Sequence, residues 1–401
     1  MKNTLEKGVV ITLIFIFVAS SLIPSISGIV ENTNDLSIIN SDDFDSRIED
    51  LMKLGHFPSL VVCIVKNNTV VLSKGFGYAD IRPLYKRNTT IDTVYPIGSI
   101  SKSIAATAIM QLNESGLISL DENISKFLPF DLKNPRYPDV NITAKMLLAH
   151  QSSIKNMGFF YSVYSLFVKH PLNWMEEYLK KPSSWCDYAP SKNVTYATID
   201  INILGYVLEN ITGQTYSDYC QENIFKPLNM TNTSFYLSDY NKAQLVRQYA
   251  WFKFFYLRVP FINVTEIMFP GGGLRSTIND MSHFLIMHTS GGTYNGVRIL
   301  NESSVEIMHS AQYPETLDEG HYHGLGWYFK NFSDGEIYGG HDGTHLGAYA
   351  IMKMRYSDKT GILYFYNQHS YLLGLLHKIP PEEKEAANGI REALFEKADE
   401  L

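Results

Sequence analysis

The order of patterns along this 401-residue chain predicts a mixed α/β fold of the α+β type: an antiparallel sheet flanked by terminal helices and interrupted by a mainly helical part. Two observations carry that reading. Extended apolar runs gather toward both ends, whereas residues 99–269 are helical in periodicity and rich in aromatics. Amphipathic segments then bracket the whole. Residues 41–54 read as the first helix, capped near Ser41 or Asp42. Strands follow at 59–65 and 69–74, and the polar triplet Lys66-Asn67-Asn68 between them suits a hairpin turn. The extended run 93–98 leads into a helix whose stripe is Ile100, Ile104, Ala105, Ala108, Ile109 and Leu112, with Gly116 placed to end it. Residues 144–150 are helix-like. Tyr196 opens a further helical pattern, Ile199, Ile201, Leu204, Val207, Leu208 and Ile211, which stops near Gly213. Strands return over 324–366, and 381–398 reads as a terminal helix. Residues 41–98 and 270–398 therefore make one sheet part around a helical part, 99–269.

The tetrad Ser99-Ile100-Ser101-Lys102 opens the first of those central helices. Side chains at i and i+3 share one helical face, so Ser99 and Lys102 are placed to exchange a proton without a histidine. The free N–H groups at a helix start favour negative charge on Ser99 and on an attacked carbonyl oxygen. The same dipole, with burial, disfavours an ammonium, which leaves Lys102 as the base. A second match, Ser152-Ser153-Ile154-Lys155, follows a helix rather than opening one and reads as a loop.

Downstream marks accompany the tetrad in a fixed order: Gly75 to Asp80, Ile97 to Lys102, Ile142 to His150, Tyr196-Ala197-Thr198, Pro270 to Thr277, and Gly340-His341-Asp342-Gly343. In this set the chain resembles the serine β-lactamase and penicillin-binding protein superfamily, in its class C β-lactamase-like branch, over about residues 44–368. The resemblance implies that 41–398 is one β-lactamase-like hydrolase domain with its active site between sheet and helical part. It implies catalytic roles for Ser99 as acylated nucleophile, Lys102 as its proton partner and Tyr196 as a proton carrier to the leaving group. Thr198 stands where the branch has an asparagine, so the handling of Lys102 and of a substrate amide differs here. His341-Asp342-Gly343 stands for Lys-Thr-Gly, with His341, Asp342, Gly343 and Thr198 expected to bind substrate and the N–H groups of Ser99 and Thr344 to form an oxyanion hole. Gly343 is expected to let substrate approach the strand edge, and a neutral His341 to gain charge near its ordinary pKa of about 6.5. The literal Lys359-Thr360-Gly361 reads instead as a hairpin turn.

Composition narrows the function classes. With 45% hydrophobic and 19% charged residues the chain buries a sizeable core, and a net charge of −7 without a basic stripe argues against nucleic acid as a partner. The expected partner is a small-molecule or peptide substrate. No Gly-x-Ser-x-Gly elbow or His-Glu-x-x-His occurs, and no spacing sets three of His321, His323, His341 and His345 on one helical face, so neither cofactor nor metal is expected. Lys2 and Lys7 precede an apolar run from Val9 to Ile23, with small residues before Gly28. Residues 1–27 therefore read as a signal peptide or membrane anchor, 28–40 as a polar linker, and the protein as secreted or cell-surface. Twelve Asn-x-Ser/Thr sequons, from Asn67 to Asn331, fit N-glycans on an exported chain. Of three cysteines, Cys186 and Cys220 are a candidate disulfide and Cys63 a buried thiol.

Two aromatic stretches, from Phe159 to Trp174 and from Trp251 to Phe261, read either as helical core or as a lid or acyl pocket that touches a membrane. The functional expectation is an exported serine hydrolase acting on esters, amides or peptides. The alternative is an inactive surface binding protein that keeps the fold, motivated by Thr198.

Overall fold

The computed structural model describes residues 43–401 except 157–171, 253, 263, 265, 317–320, 332–334 and 371–378. The leader and linker expected over 1–40, and most of the first aromatic stretch, lie outside the described residues. Among those described, no helix is long and apolar enough to cross a membrane.

Helix α1 (Phe44–Leu54) starts three residues later than the sequence indicates, because Asp43, not Ser41 or Asp42, is the cap and its carboxylate accepts the Ser46 N–H. Strands β1 (Ser59–Lys66) and β2 (Thr69–Asp80) form the expected hairpin. Its turn holds Asn67 and Asn68 at φ 51° and 59°, the left-handed region that asparagine tolerates better than most residues. A short β3 (Arg87–Asn88) closes one edge. From the other end of the chain come β8 (His321–His323), β9 (Tyr328–Asn331), β10 (Ile337–His345), β11 (Ala348–Arg355) and β12 (Gly361–Tyr366). The sheet runs β8-β9-β10-β11-β12-β1-β2-β3, antiparallel throughout, and β12 pairs with β1 to join the two halves of the chain. The literal Lys-Thr-Gly is the β11–β12 turn and the first residue of β12, with Lys359 at φ 56°.

Strand β1 is apolar on both faces because both are covered. Leu60, Val62 and Ile64 point to α1 and the terminal helix α7 (Pro381–Glu400), packing with Ile48, Leu51, Ile390 and Leu394. Val61, Cys63 and Val65 point inward to the larger core. That core is organised around α2 (Ser101–Glu114), which is buried almost all round rather than along one stripe. Around it lie α3 (Ala144–Leu148), α4 (Thr198–Thr212), α5 (Ile278–Thr289) and α6 (Glu302–Met308). A left-handed Gly213 ends α4 where the pattern ran out. Short strands β4 (Tyr95–Pro96) and β7 (Arg275–Ser276) pair and tie the start of α2 to the segment before α5.

Two expectations change. The second aromatic stretch, Trp251 to Phe261, is not helical core: its described residues lie largely in a hairpin of β5 (Tyr249–Phe252) and β6 (Phe255–Arg258), in which Trp251 stacks on His56 at 4.1 Å and Phe254 is 84% exposed. Burial falls along this two-stranded ribbon from Tyr249 and Ala250 to the exposed Phe252 and Phe255 at its turn. Cys186 and Cys220 are unbonded: Cys186 touches the Thr195 hydroxyl at 3.6 Å, whereas Cys220 is buried in the helix beside Tyr216. All three thiols are buried, as expected for Cys63.

Ile64→Ala removes a fully buried side chain from the face between the sheet and the terminal helices. It is expected to lower unfolding free energy by roughly 2–5 kcal/mol in a denaturant titration.

Candidate active site

The chain reaches Ser99 through a 3₁₀ turn, Gly98–Ile100, that runs directly into α2. The helix proper thus begins two residues after Ser99, not at it, and Ser99 is partly exposed between buried neighbours. Ser101 pins this turn, donating to the Gly98 carbonyl at 2.6 Å while accepting the Leu274 N–H at 3.2 Å. One turn along, Lys102 is fully buried and its Nζ lies 2.8 Å from Ser99 Oγ and 2.5 Å from the Gly271 carbonyl. Burial pulls the Lys102 amine down to about 7, opposed by the nearby Asp200. Its proton is therefore exchangeable near neutral pH.

Tyr196 completes the set. Its ring centroid lies 5.0 Å from Lys102 Nζ, and its hydroxyl hydrogen-bonds with Ser99. Burial holds the phenol well above its ordinary range, with the Ser99 bond pulling the other way. Ser99, Lys102 and Tyr196, separated by up to 97 residues in sequence, therefore converge as expected.

The third triplet is on β10, where β9 pairs only as far as Gly340 and leaves the edge of residues 341–345 open toward Ser99. His341 faces the site, its ring 6.2 Å from Tyr196 and 5.3 Å from Tyr328. Nδ1 donates to the Asp342 carbonyl at 2.8 Å, and burial together with the Lys102 amine lowers its pKa to about 3. His341 accordingly stays neutral down to pH 5.5, which overturns the expectation that mild acid would charge it. Asp342, expected to bind substrate, alternates to the opposite face and pairs with Lys353 at 3.0 Å. Gly343 owes its identity to the backbone, not to substrate: a Cβ there would collide with the Ile97 carbonyl oxygen and stand 3.2 Å from the Ser99 nitrogen. A Cβ on Gly98, at φ 51°, would lie 2.9 Å from the Thr344 nitrogen. The Gly98–Ser99 and Gly343–Thr344 backbones thus run side by side, with Thr344 exposed.

Thr198 does not take up the amide's task. Its N–H donates to Asn156 Oδ1 at 3.3 Å, and its methyl sits against Gly271. Asn202, one helical turn on, is buried and accepts the Gly271 N–H at 3.0 Å, so it holds the residue whose carbonyl, in the next peptide group, accepts from Lys102. Sequence reasoning missed Asn202. It also missed His150 and Asp200, which stand behind Tyr196: Ser152 Oγ donates to Asp200 Oδ1 at 2.7 Å, and Asp200 Oδ2 lies 3.1 Å from His150 Nδ1. Burial raises the Asp200 carboxyl and lowers His150, which favours the neutral forms of both. The Ala197 N–H also reaches His150 Nδ1, so a carboxylic acid donating from Oδ2 fits the pattern. The His150 ring packs on Tyr196 at 4.5 Å. The signal was present as two polar residues, Asp200 and Asn202, inside an otherwise apolar helical run. Ser152, the second tetrad serine, is thereby a buried structural donor in a loop.

A sheet with a helical insertion, and a serine and lysine on the helix between them, define a β-lactamase-type protein. The chain belongs to the Beta-lactamase family, whose model matches residues 44–372. It is 32% identical over 209 residues to Protein flp of Staphylococcus aureus (strain COL), covering 52% of this chain and 40% of that one. To the Putative penicillin-binding protein PbpX of Bacillus subtilis (strain 168) it is 31% identical over 201 residues, 49% of this chain and 46% of that one. The chain matches less than half the length of these curated relatives. Among solved structures, the octameric penicillin-binding protein homologue from Pyrococcus abyssi superposes with TM-score 0.70 at 25% identity, over 85% of this chain and 78% of that one. The D-amino acid amidase from Ochrobactrum anthropi SV3 shares the fold, with TM-score 0.69 at 20% identity over 89% of this chain and 100% of that one.

Asn202→Ala is expected to free the Gly271 peptide and lower kcat about tenfold with a smaller change in KM, while Asn202→Asp, which keeps the acceptor, retains more activity. Equal losses in both variants would show that Asn202 acts only through packing.

Proposed function

We propose that the protein is an exported serine hydrolase that forms an acyl-enzyme on Ser99 and resolves it with water or an amine. The observation that carries this reading is the 2.8 Å contact between Ser99 Oγ and a fully buried Lys102 whose pKa burial lowers to about 7. Above that pH the neutral amine keeps an N–H on the Gly271 carbonyl and turns its lone pair to the Ser99 hydroxyl, taking its proton as Oγ attacks. The N–H groups of Ser99 and Thr344, on adjacent backbones, stabilise the oxyanion. Tyr196 relays the proton to the leaving group. A neutral His341 contributes shape and a hydrogen-bonding ring rather than charge, which suits esters, amides and peptides read by polar contact. The D-amino acid amidase and penicillin-binding protein likenesses support acyl transfer as the chemistry. The Gly271–Asn202 link, which gives Lys102 a held acceptor despite Thr198, supports turnover over an inactive binding protein.

Export rests on the apolar run after Lys2 and Lys7 and on the sequons. Of the twelve, Asn263 lies outside the described residues, and none of the remaining eleven acceptor asparagines is buried. The apolar segment, cleaved or kept as an anchor, supports a secreted or cell-surface location.

Labelling by a fluorophosphonate should be complete in wild type, absent in Ser99→Ala and retained in Ser152→Ala. Label on the Ser152 variant alone being lost would move the nucleophile. Lys102→Met should slow acylation at least about 10²-fold. In wild type the acylation rate should rise through an apparent pKa near 7 as Lys102 loses its proton. A rate flat from pH 5.5 to 8.5 would remove Lys102 as the base.

A further inference from the structure

The β5–β6 hairpin carries apolar side chains at its turn and arginines at its base. Phe252, Phe254 and Phe255 are all exposed, and Lys253 stands among them in the sequence. At the other end Tyr249 is buried, and its hydroxyl donates to Asp80 Oδ1 at 3.1 Å. The same carboxylate pairs with Arg82 at 2.6 Å and reaches Arg247 at 4.0 Å, while Arg258 lies opposite Tyr249 in register, on the same face of the ribbon. Three part-exposed arginines and one carboxylate thus share this base, in a chain whose net charge is −7. The 3₁₀ turn Pro83–Tyr85 extends the patch. The Ile81 N–H bonds the Tyr249 hydroxyl at 3.2 Å, Arg82 lies over the Tyr85 ring at 4.2 Å, and Leu84 is 91% exposed.

Large apolar side chains scattered singly over a surface need no explanation, but three on one turn do. Apolar prongs beyond a collar of cations suit a bilayer surface, where rings enter the headgroup region and guanidinium groups stay level with its anions. The sequence gives an independent reason to expect a membrane at hand. An apolar run from Val9 to Ile23 lies upstream, and residues 28–42 span at most about 50 Å, so the run kept as an anchor holds the domain close to the bilayer. We propose that the β5–β6 hairpin seats the protein on an anionic lipid surface, with Phe252, Phe254 and Phe255 entering the interface and Arg82, Arg247 and Arg258 facing its headgroups. The Tyr249 N–H donates to the Gly347 carbonyl at 3.3 Å, three residues beyond Thr344 in the turn after β10. A seated hairpin therefore brings the open edge of β10 toward the lipid. The surface does not depend on the hydrolase reading.

The test is an environment-sensitive nitrobenzoxadiazole dye attached through Phe254→Cys, which reports from one place because the three native thiols are buried. The full chain is measured in buffer, with phosphatidylcholine vesicles, and with vesicles that also hold phosphatidylglycerol. Emission should shift to the blue and rise at least about threefold with the anionic vesicles, and far less with the neutral ones. In the labelled protein, Arg258→Gln should raise the lipid concentration at half-rise about fivefold. Phe252→Ser with Phe255→Ser should raise it at least about tenfold. If either variant fails to fold, the labelled protein without it decides the matter, since Phe254 is a surface residue. A bright, blue-shifted signal in buffer alone means that the hairpin is already covered, by the chain's own apolar run where the signal is independent of protein concentration and by a second copy where it grows with it. Either result overturns the proposal, as does an equal rise in both kinds of vesicle or no rise in either.

Discussion

The burial of one amine is the constraint around which the centre of this molecule is arranged. Lys102 is on a helix that the core encloses on almost every side, so its charged form pays a desolvation penalty that no carboxylate contact offsets directly. What it has instead are two neutral oxygens, from Ser99 and Gly271. Everything that keeps those oxygens in place, from the Ser101 pin to the Asn202 acceptor, serves to make a nearly neutral lysine tenable.

Neutrality then spreads outward. Asp200, drawn toward its protonated form by burial, hydrogen-bonds to His150, and His150 packs on Tyr196. His341 is likewise held neutral, in part by the amine itself. A site built from a serine, a lysine, a tyrosine and two histidines therefore presents little net charge near pH 7. Proton movement inside it costs less than separation of charge would in so dry a setting. Arg275 is the exception: a full positive charge nearby with no described counter-ion.

The backbone contributes as much as the side chains. Gly98 and Gly343 allow two chain segments from opposite ends of the sequence to approach more closely than any residue with a Cβ permits. That approach sets the Gly98–Ser99 and Gly343–Thr344 backbones side by side. Strand β9 helps by ending its pairing at Gly340, which leaves the next residues of β10 unpaired on the side of Ser99.

Much of this was legible in the chain. A periodicity of 3.6 marked α2 and α4, double-sided apolar runs marked β1 and β12, and the one-turn spacing of Ser99 and Lys102 needed only a helix to be realised. Other features were out of reach because they depend on contacts distant in sequence. Which face Asp342 takes follows from strand alternation once the register with β11 is set, and its partner Lys353 is known only then. The depressed pKa of His341 depends on how deeply β10 is covered, which no local pattern encodes. Asn202 meets Gly271, 69 residues away, because that segment folds back onto α4. Periodicity and short-range chemistry by themselves determined most of the helices, the sheet and the pairing of Ser99 with Lys102. The protonation states, the orientation of Lys102 and the partnership of the two glycine-lined backbones were decided by tertiary structure, because desolvation and close approach are properties of assembled surroundings and not of any segment alone.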